Sequence, residues 1–167
     1  TPHELGYAAF TKFDHDFIGK EALQAMEGKR HRKKVTFAWN ADDVTKVFRS
    51  MFEPGADNYK YIDIPLSNYA SSSFDSIMSG GKVVGASMFS GYSYNERSML
   101  SLGFVEEPHA KPGTQLTLLW GEENGGTKKT TVERHRQIEM RVTVGPTPYS
   151  RAVRETYPGG WRATAAE

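Results

Sequence analysis

Residues 79–118 constrain the fold most. They read SGGKVVGASMFSGYSYNERSMLSLGFVEEPHAKPGTQLTL, β-prone runs separated by turn signals. Gly80-Gly81 is a dipeptide that closes hairpins, because both positions take positive φ without a Cβ clash. Residues 83–90 and 99–105 are β-prone and flank a polar, aromatic loop at 91–96. A third run, 115–120, follows the Lys111-Pro112-Gly113 turn. Connections this short exclude parallel crossovers, so the strands pair antiparallel. Gly85, Gly91 and Gly103 fall inside or beside the strands, where glycine marks a bulge, a barrel corner or close approach of another backbone. A small curved sheet or barrel is the expected result.

Around this unit the chain supplies further strands and two helices. Residues 16–23, DFIGKEAL, place Gly19 as an N-cap and Glu21 in a first turn, with Ile18 and Leu23 spaced as a hydrophobic staple and Gly28 as the stop. The Asp14-His15-Asp16 cluster just before it reads as capping contacts, and the basic run 29–34 as a solvated linker. Residues 35–39 read as a strand. Asn40 caps a helix over 41–52, in which Val44, Val47, Phe48 and Met51 form one apolar stripe. Residues 59–66 are extended but demoted by Pro65 to an edge or a loop, and 74–78 pair through Gly80-Gly81. Beyond a polar loop at 121–127, strands are expected at 128–132 and 134–144. In the second, Ile138, Met140, Val142 and Val144 alternate with Glu139, Arg141 and Thr143, which makes the apolar set the buried face. The tail from Gly145 is expected to wrap over the surface without regular structure. A closed or nearly closed barrel of six to eight strands leaves no exposed edges.

Composition bounds the function classes. Net charge is +1, which gives no bias toward nucleic acid or an anionic membrane. No apolar run approaches the roughly 20 residues that span a bilayer, and a secretory signal is not expected. With no cysteine there is no disulfide, thiolate nucleophile or cysteine-ligated metal, and a cytoplasmic location is the expectation. The five histidines show no ligand spacing. Ser71-Ser72-Ser73 lacks a nucleophile-elbow context, and Gly80-Gly81-Lys82 is not a phosphate loop. Tyr92 and Tyr94 offer rings for stacking on a planar ligand, so an autonomous β-sheet module binding a ligand or protein is the alternative to a role within an enzyme. The chain opens on Thr1-Pro2-His3 and is expected to be a piece of something longer. If so, Leu5, Tyr7, Phe10, Phe13, Tyr149, Tyr157 and Trp161 are expected to leave a bare apolar docking surface.

Two motifs carry a family resemblance. DFIGKEAL at 16–23 closely resembles the D-F-I-G-[KR]-E-A-L segment of the aminomethyltransferase (glycine-cleavage T-protein) family. Gly85 with Ser87, then Leu102-Gly103-Phe104-Val105, then Pro112-Gly113-Thr114 resembles that family's downstream pattern in order and spacing. Within the family, Phe13-Asp14-His15-Asp16-Phe17 and the ending Pro148-Tyr149-Ser150-Arg151 with Gly160-Trp161-Arg162 look most like the tetrahydrofolate-dependent aromatic O-demethylases; dimethylsulfoniopropionate demethylase is a sister branch. Together, residues and resemblance imply a mainly β fold, an antiparallel Greek-key/jelly-roll-like barrel with two flanking helices. The expected division is an N-terminal linker and helix at 1–34, the family's C-terminal β-barrel at 35–151 and a surface tail at 152–167. The resemblance further implies tetrahydrofolate as cofactor, held mostly by an upstream folate-binding domain of the same polypeptide, and a small-molecule methyl donor reached through that domain. Tyr149 and Arg151 are the implied contacts to the folate glutamate tail. No catalytic or metal residue is assigned, and neither nucleic acid nor membrane is an expected partner.

Overall fold

Gly80 and Gly81 adopt φ of +55° and +77°, the geometry that joins two strands in a tight hairpin. The hairpin belongs to a computed structural model that describes residues 1–55, 57–65, 74–126, 130 and 132–157. Six strands close into a barrel: β1 (Arg32–Trp39), β2 (Asp75–Ser79), β3 (Lys82–Ser93), β4 (Ser98–Glu106), β5 (Gln115–Trp120) and β6 (Ile138–Gly145). Around the barrel they run β1-β4-β3-β2-β5-β6, every pairing antiparallel. The meander β2-β3-β4 with β1 returned beside β4 is a Greek-key order. The seam that closes the barrel pairs the first strand with the last, Thr36 opposite Gly145 through Trp39 opposite Val142.

The period-2 patterns decide what lies inside. On β6, Met140, Val142 and Val144 are buried, Ile138 is partly buried, and Glu139 and Arg141 face out, as the alternation predicts. Val35, Phe37 and Trp39 enter from β1, with Ile77, Met99, Val105, Leu116, Leu118 and Trp120 completing the interior. Three polar groups sit inside as a relay: Ser87 Oγ donates to Ser101 Oγ (2.7 Å), which also accepts from Trp39 Nε1 (2.9 Å). No buried side-chain polar atom among the described residues lacks a partner. Gly85 and Gly103 are needed for close approach. A Cβ on Gly85 would lie 2.2 Å from the Phe104 carbonyl oxygen, and one on Gly103 would lie 2.2 Å from that of Ala86. Near Gly91 the β3–β4 register shifts, between Met88 and Gly91, forming a bulge.

Among the described residues four short α-helices decorate the barrel: α1 (Pro2–Leu5), α2 (Lys20–Gln24), α3 (Ala41–Ser50) and α4 (Arg151–Glu155). Several differ from the sequence reading. Gly19 does cap α2, but the helix ends at Gln24, and Ile18 is fully exposed, so no staple forms. Asp14 and Asp16 do not cap it either; they pair with His15 (2.8 Å) and Lys20 (3.2 Å) at the surface. The basic run is not a linker throughout, because β1 begins at Arg32. The tail does contain regular structure, α4. Residues 132–137 are not strand apart from a parallel bridge, Arg136 to Tyr59; residues 127–129 and 131, where the other closing strand was expected, lie outside the described residues. The same is true of residues 66–73, which include the three serines, and of residues 158–167, which include Trp161 and Arg162.

α3 is fixed by its cap and by one buried carboxylate. Asn40 Oδ1 accepts from the backbone N–H of Asp42 and Asp43 and from Arg141 Nη2. Val47 is buried against the barrel, with Val44 and Phe48 partly so, whereas Met51 is exposed. Asp43 accepts from the backbone N–H of Arg141 (2.9 Å), its Nε (2.8 Å) and Nη2 (3.0 Å), and from Lys46 Nζ (3.1 Å). The Arg141 guanidinium holds the Asp43 carboxyl well below the usual carboxylate range, outweighing the opposing effect of burial. A carboxyl lowered in the folded state stabilises above its unfolded value, near 4, and loses that contribution as pH falls toward its folded value. Asp43→Asn is therefore expected to cost about 2 kcal/mol at pH 7, a typical value for hydrogen bonds to a charged group. The gap between parent and variant should narrow steadily below about pH 4. Urea unfolding across pH 2–7 checks it; a gap independent of pH would remove Asp43 from the acid response.

Candidate functional site

On the outer wall of β1, β4 and β3 lies an open cleft of about 430 Å³, a volume within the range of small-molecule sites. The fold supplies each wall. The bulge in β3 turns out Phe89, which holds φ of +50° and leaves its ring largely exposed. Leu100 and Leu102 form the floor because they are the outward positions of β4, opposite the buried Met99, Ser101 and Val105. Tyr92 borders the cleft from the end of β3. Tyr149 closes the far side, with its ring packed on the backbone of Gly145, where any Cβ would come within 2.7 Å of it. Arg154 from α4 holds this loop in place by donating Nη1 to the carbonyls of Pro148 (2.9 Å) and Tyr149.

Lys34 gives the cleft its charge. Its neighbours on β1 are neutralised: Arg32 pairs with Glu4 (2.7 Å) and Lys33 with Glu107 (2.7 Å). Lys34 is half-buried, its stem lies against Gly6, and it makes no ion pair or side-chain hydrogen bond among the described residues. Two hydroxyls, Thr36 and Thr147, bond to each other at 3.0 Å beside it.

The residues singled out from the sequence are thus separated. Tyr149 lines the cleft. Arg151 projects from α4 into solvent and pairs with Glu155 on the same helix (2.7 Å). Tyr92 belongs to the cleft, whereas Tyr94 stands exposed at the following turn with the Arg97 guanidinium 5.6 Å from its ring centre. At the N-terminus Leu5, Tyr7 and Phe10 are exposed together, the two rings 6.4 Å apart; Tyr157 is exposed too, while Phe13 and Tyr149 are partly covered.

One buried polar cluster had no signal in the sequence. At the end of the barrel near Trp120, Lys60 is fully buried, donates to Glu122 Oε1 (2.9 Å) and lies 4.8 Å from the Trp120 ring centre. His135 Nε2 accepts from the Glu122 N–H (2.7 Å), so its Nδ1 carries the proton and donates to the Glu133 carbonyl (2.8 Å). These bonds tie loops to the barrel and leave His135 no free nitrogen for other chemistry. No group of three metal-ligating side chains occurs among the described residues, and no helix among them is long and apolar enough to cross a membrane.

No family model matches the chain. Syringate O-demethylase of Sphingobium sp. (strain NBRC 103272 / SYK-6) is 46% identical over 166 residues, covering 99% of this chain and 36% of that protein. Sesamin methylene transferase of Sinomonas sp. (strain No.22) is 38% identical over 159 residues, covering 89% of this chain and 33% of that protein. The chain spans about a third of the length of the curated relatives it matches. The match runs nearly the length of the chain, so the barrel as a whole is similar to a third-length stretch of an O-demethylase and of a methylene transferase.

Proposed function

We propose that the chain is the C-terminal barrel portion of a tetrahydrofolate-dependent one-carbon transferase, of the aromatic O-demethylase type within the aminomethyltransferase family. The observation that carries this reading is the 46% identity to syringate O-demethylase across nearly the whole chain. The barrel would act beside a folate-binding region supplied by the rest of a longer polypeptide, since each relative has about two thirds of its length outside the match. The exposed Leu5, Tyr7 and Phe10 are the proposed contact to that region, because clustered apolar side chains on a free surface favour burial against a partner.

The residues in hand fit only one edge of the cofactor. Arg151 has an exposed guanidinium whose partner, Glu155, is a surface pair of small energetic weight, so a carboxylate of the folate tail can take its place bidentately. Tyr149 sits two residues before it and would border the same tail. Tetrahydrofolate, when bound, accepts the one-carbon unit. Of the buried ionisable groups, Asp43, Lys60 and His135 are each committed to bonds that hold the fold. The barrel's own contribution is therefore to orient and to exclude water.

The isolated 167 residues are expected to show no demethylation of vanillate or syringate with tetrahydrofolate. Product formation measured by chromatography against a no-protein control checks this. Turnover by the purified chain alone would overturn the reading of it as one part of a larger catalyst.

A further inference from the structure

We infer that, if Tyr149 and Arg151 meet the folate tail as proposed, Arg154 is the positioning residue that fixes one relative to the other. Arg151 sits on α4, whose five residues are too few to hold a helix by backbone bonds alone. The Ser150 cap makes no side-chain hydrogen bond, none of the five residues is buried, and Arg151 pairs within the helix, with Glu155. Arg154 is the half-buried member. Its Nη1 reaches back past the start of α4 and donates to two successive carbonyls, Pro148 (2.9 Å) and Tyr149. Such charge-assisted bonds are directional and stronger than neutral ones. The loop they grip is fixed to the barrel from its other side. Thr147 shares a hydrogen bond with Thr36 at 3.0 Å, and the Tyr149 ring lies against Gly145, which pairs with Thr36 across the seam. Arg154 thus carries the rigidity of the barrel into α4. Without it, Tyr149 stays where Gly145 and Thr36 hold the loop, while α4 frays and Arg151 loses its fixed distance from the ring. A tail gripped by both residues would then have to order the helix as it binds, at a cost to affinity.

The test is an NMR titration of the 167-residue chain with 4-aminobenzoylglutamate, the tail portion of folate, followed at the amide signals of Tyr149 and α4. The parent is compared with Arg151→Gln, Arg154→Gln, Arg154→Lys and the double variant Arg151→Gln/Arg154→Gln. Arg151→Gln should bind about tenfold more weakly, the size of one lost charge-assisted contact. Arg154→Gln should bind about fivefold more weakly with Arg151 present but less than about twofold more weakly once Arg151 is gone, because it acts through that residue. Arg154→Lys keeps a cation that can reach one of the two carbonyls, so its affinity should fall between those of the parent and Arg154→Gln. Equal losses from Arg154→Gln in the two backgrounds overturn the positioning role, since Arg154 would then act independently of Arg151. So does an Arg154→Gln chain that binds like the parent while Arg151→Gln does not; in both cases the tail contact itself stands. A parent chain without saturable binding, or an Arg151→Gln chain that matches it, overturns the tail contact, and the role of Arg154 falls with it.

Discussion

Gly103→Ala is expected to cost more than 3 kcal/mol, at or beyond the upper end of the usual overpacking range, and to leave much of the chain unfolded at 37 °C. The cause is steric and not conformational, since Gly103 lies in an ordinary strand region. The added methyl would sit 2.2 Å from the Ala86 carbonyl oxygen and 2.6 Å from Phe37 Cε2. The first obstacle is backbone, so it cannot rotate away. The second is a ring buried in the barrel centre. Relief requires β3 and β4 to part where Ser87 pairs with Gly103, which also breaks the Ser87–Ser101–Trp39 relay. Gly113→Ala is the matched control: its φ of +89° imposes a left-handed penalty of about 1 kcal/mol, but nothing lies within 4 Å of the new methyl. Thermal unfolding by circular dichroism distinguishes the two. A Gly103→Ala chain that melts within a few degrees of the parent would show that the strands are not held at this spacing.

Trp120→Ala is expected to cost about 4 kcal/mol, within the range for removing a large buried aromatic side chain. Trp120 is completely buried, meets Trp39 edge-on at 5.3 Å and donates Nε1 to the Lys60 carbonyl at 2.8 Å. It is also the surface over which the Lys60 ammonium rests. Its removal opens a cavity, takes a donor from the Lys60 carbonyl and strips a buried cation of one of its contacts. Trp120→Phe separates these effects. It retains most of the packing and loses the hydrogen bond, so it should cost roughly 1–2 kcal/mol. Urea unfolding of the parent and both variants reads the two values. If the alanine variant loses no more than the phenylalanine one, packing around Trp120 is not what closes this end of the barrel.

The strands were legible because their signals are local. The Gly80-Gly81 turn and the alternation of residues 138–144 each fix a conformation and a face from neighbouring residues alone. Asn40 was legible for the same reason, as its cap reaches only two or three residues along. Gly85 and Gly103 announced a close approach without saying to what, since the other backbone belongs to a strand some 20 residues away. The cleft was not legible. In the sequence Arg32, Lys33 and Lys34 look equivalent, and only pairing with Glu4 and Glu107 from elsewhere in the chain singles out Lys34. The arginines near the end show the same limit: the family resemblance pointed to Arg151, and nothing in the sequence marked Arg154 as the side chain that holds the Tyr149 loop. The Lys60–Glu122–His135 cluster joins residues more than 60 positions apart, beyond the reach of any periodicity.

The seam between β1 and β6 sets an order of events during synthesis. Thr36 finds Gly145 only after more than a hundred further residues have been made, so this barrel stays open until its final strand arrives. Until then β1 and β5 each present a bare row of backbone donors and acceptors to other nascent chains. A ribosome stalled before residue 138 would therefore display a sticky half-barrel, and premature stops in this region should yield aggregates where stops after residue 145 yield folded protein.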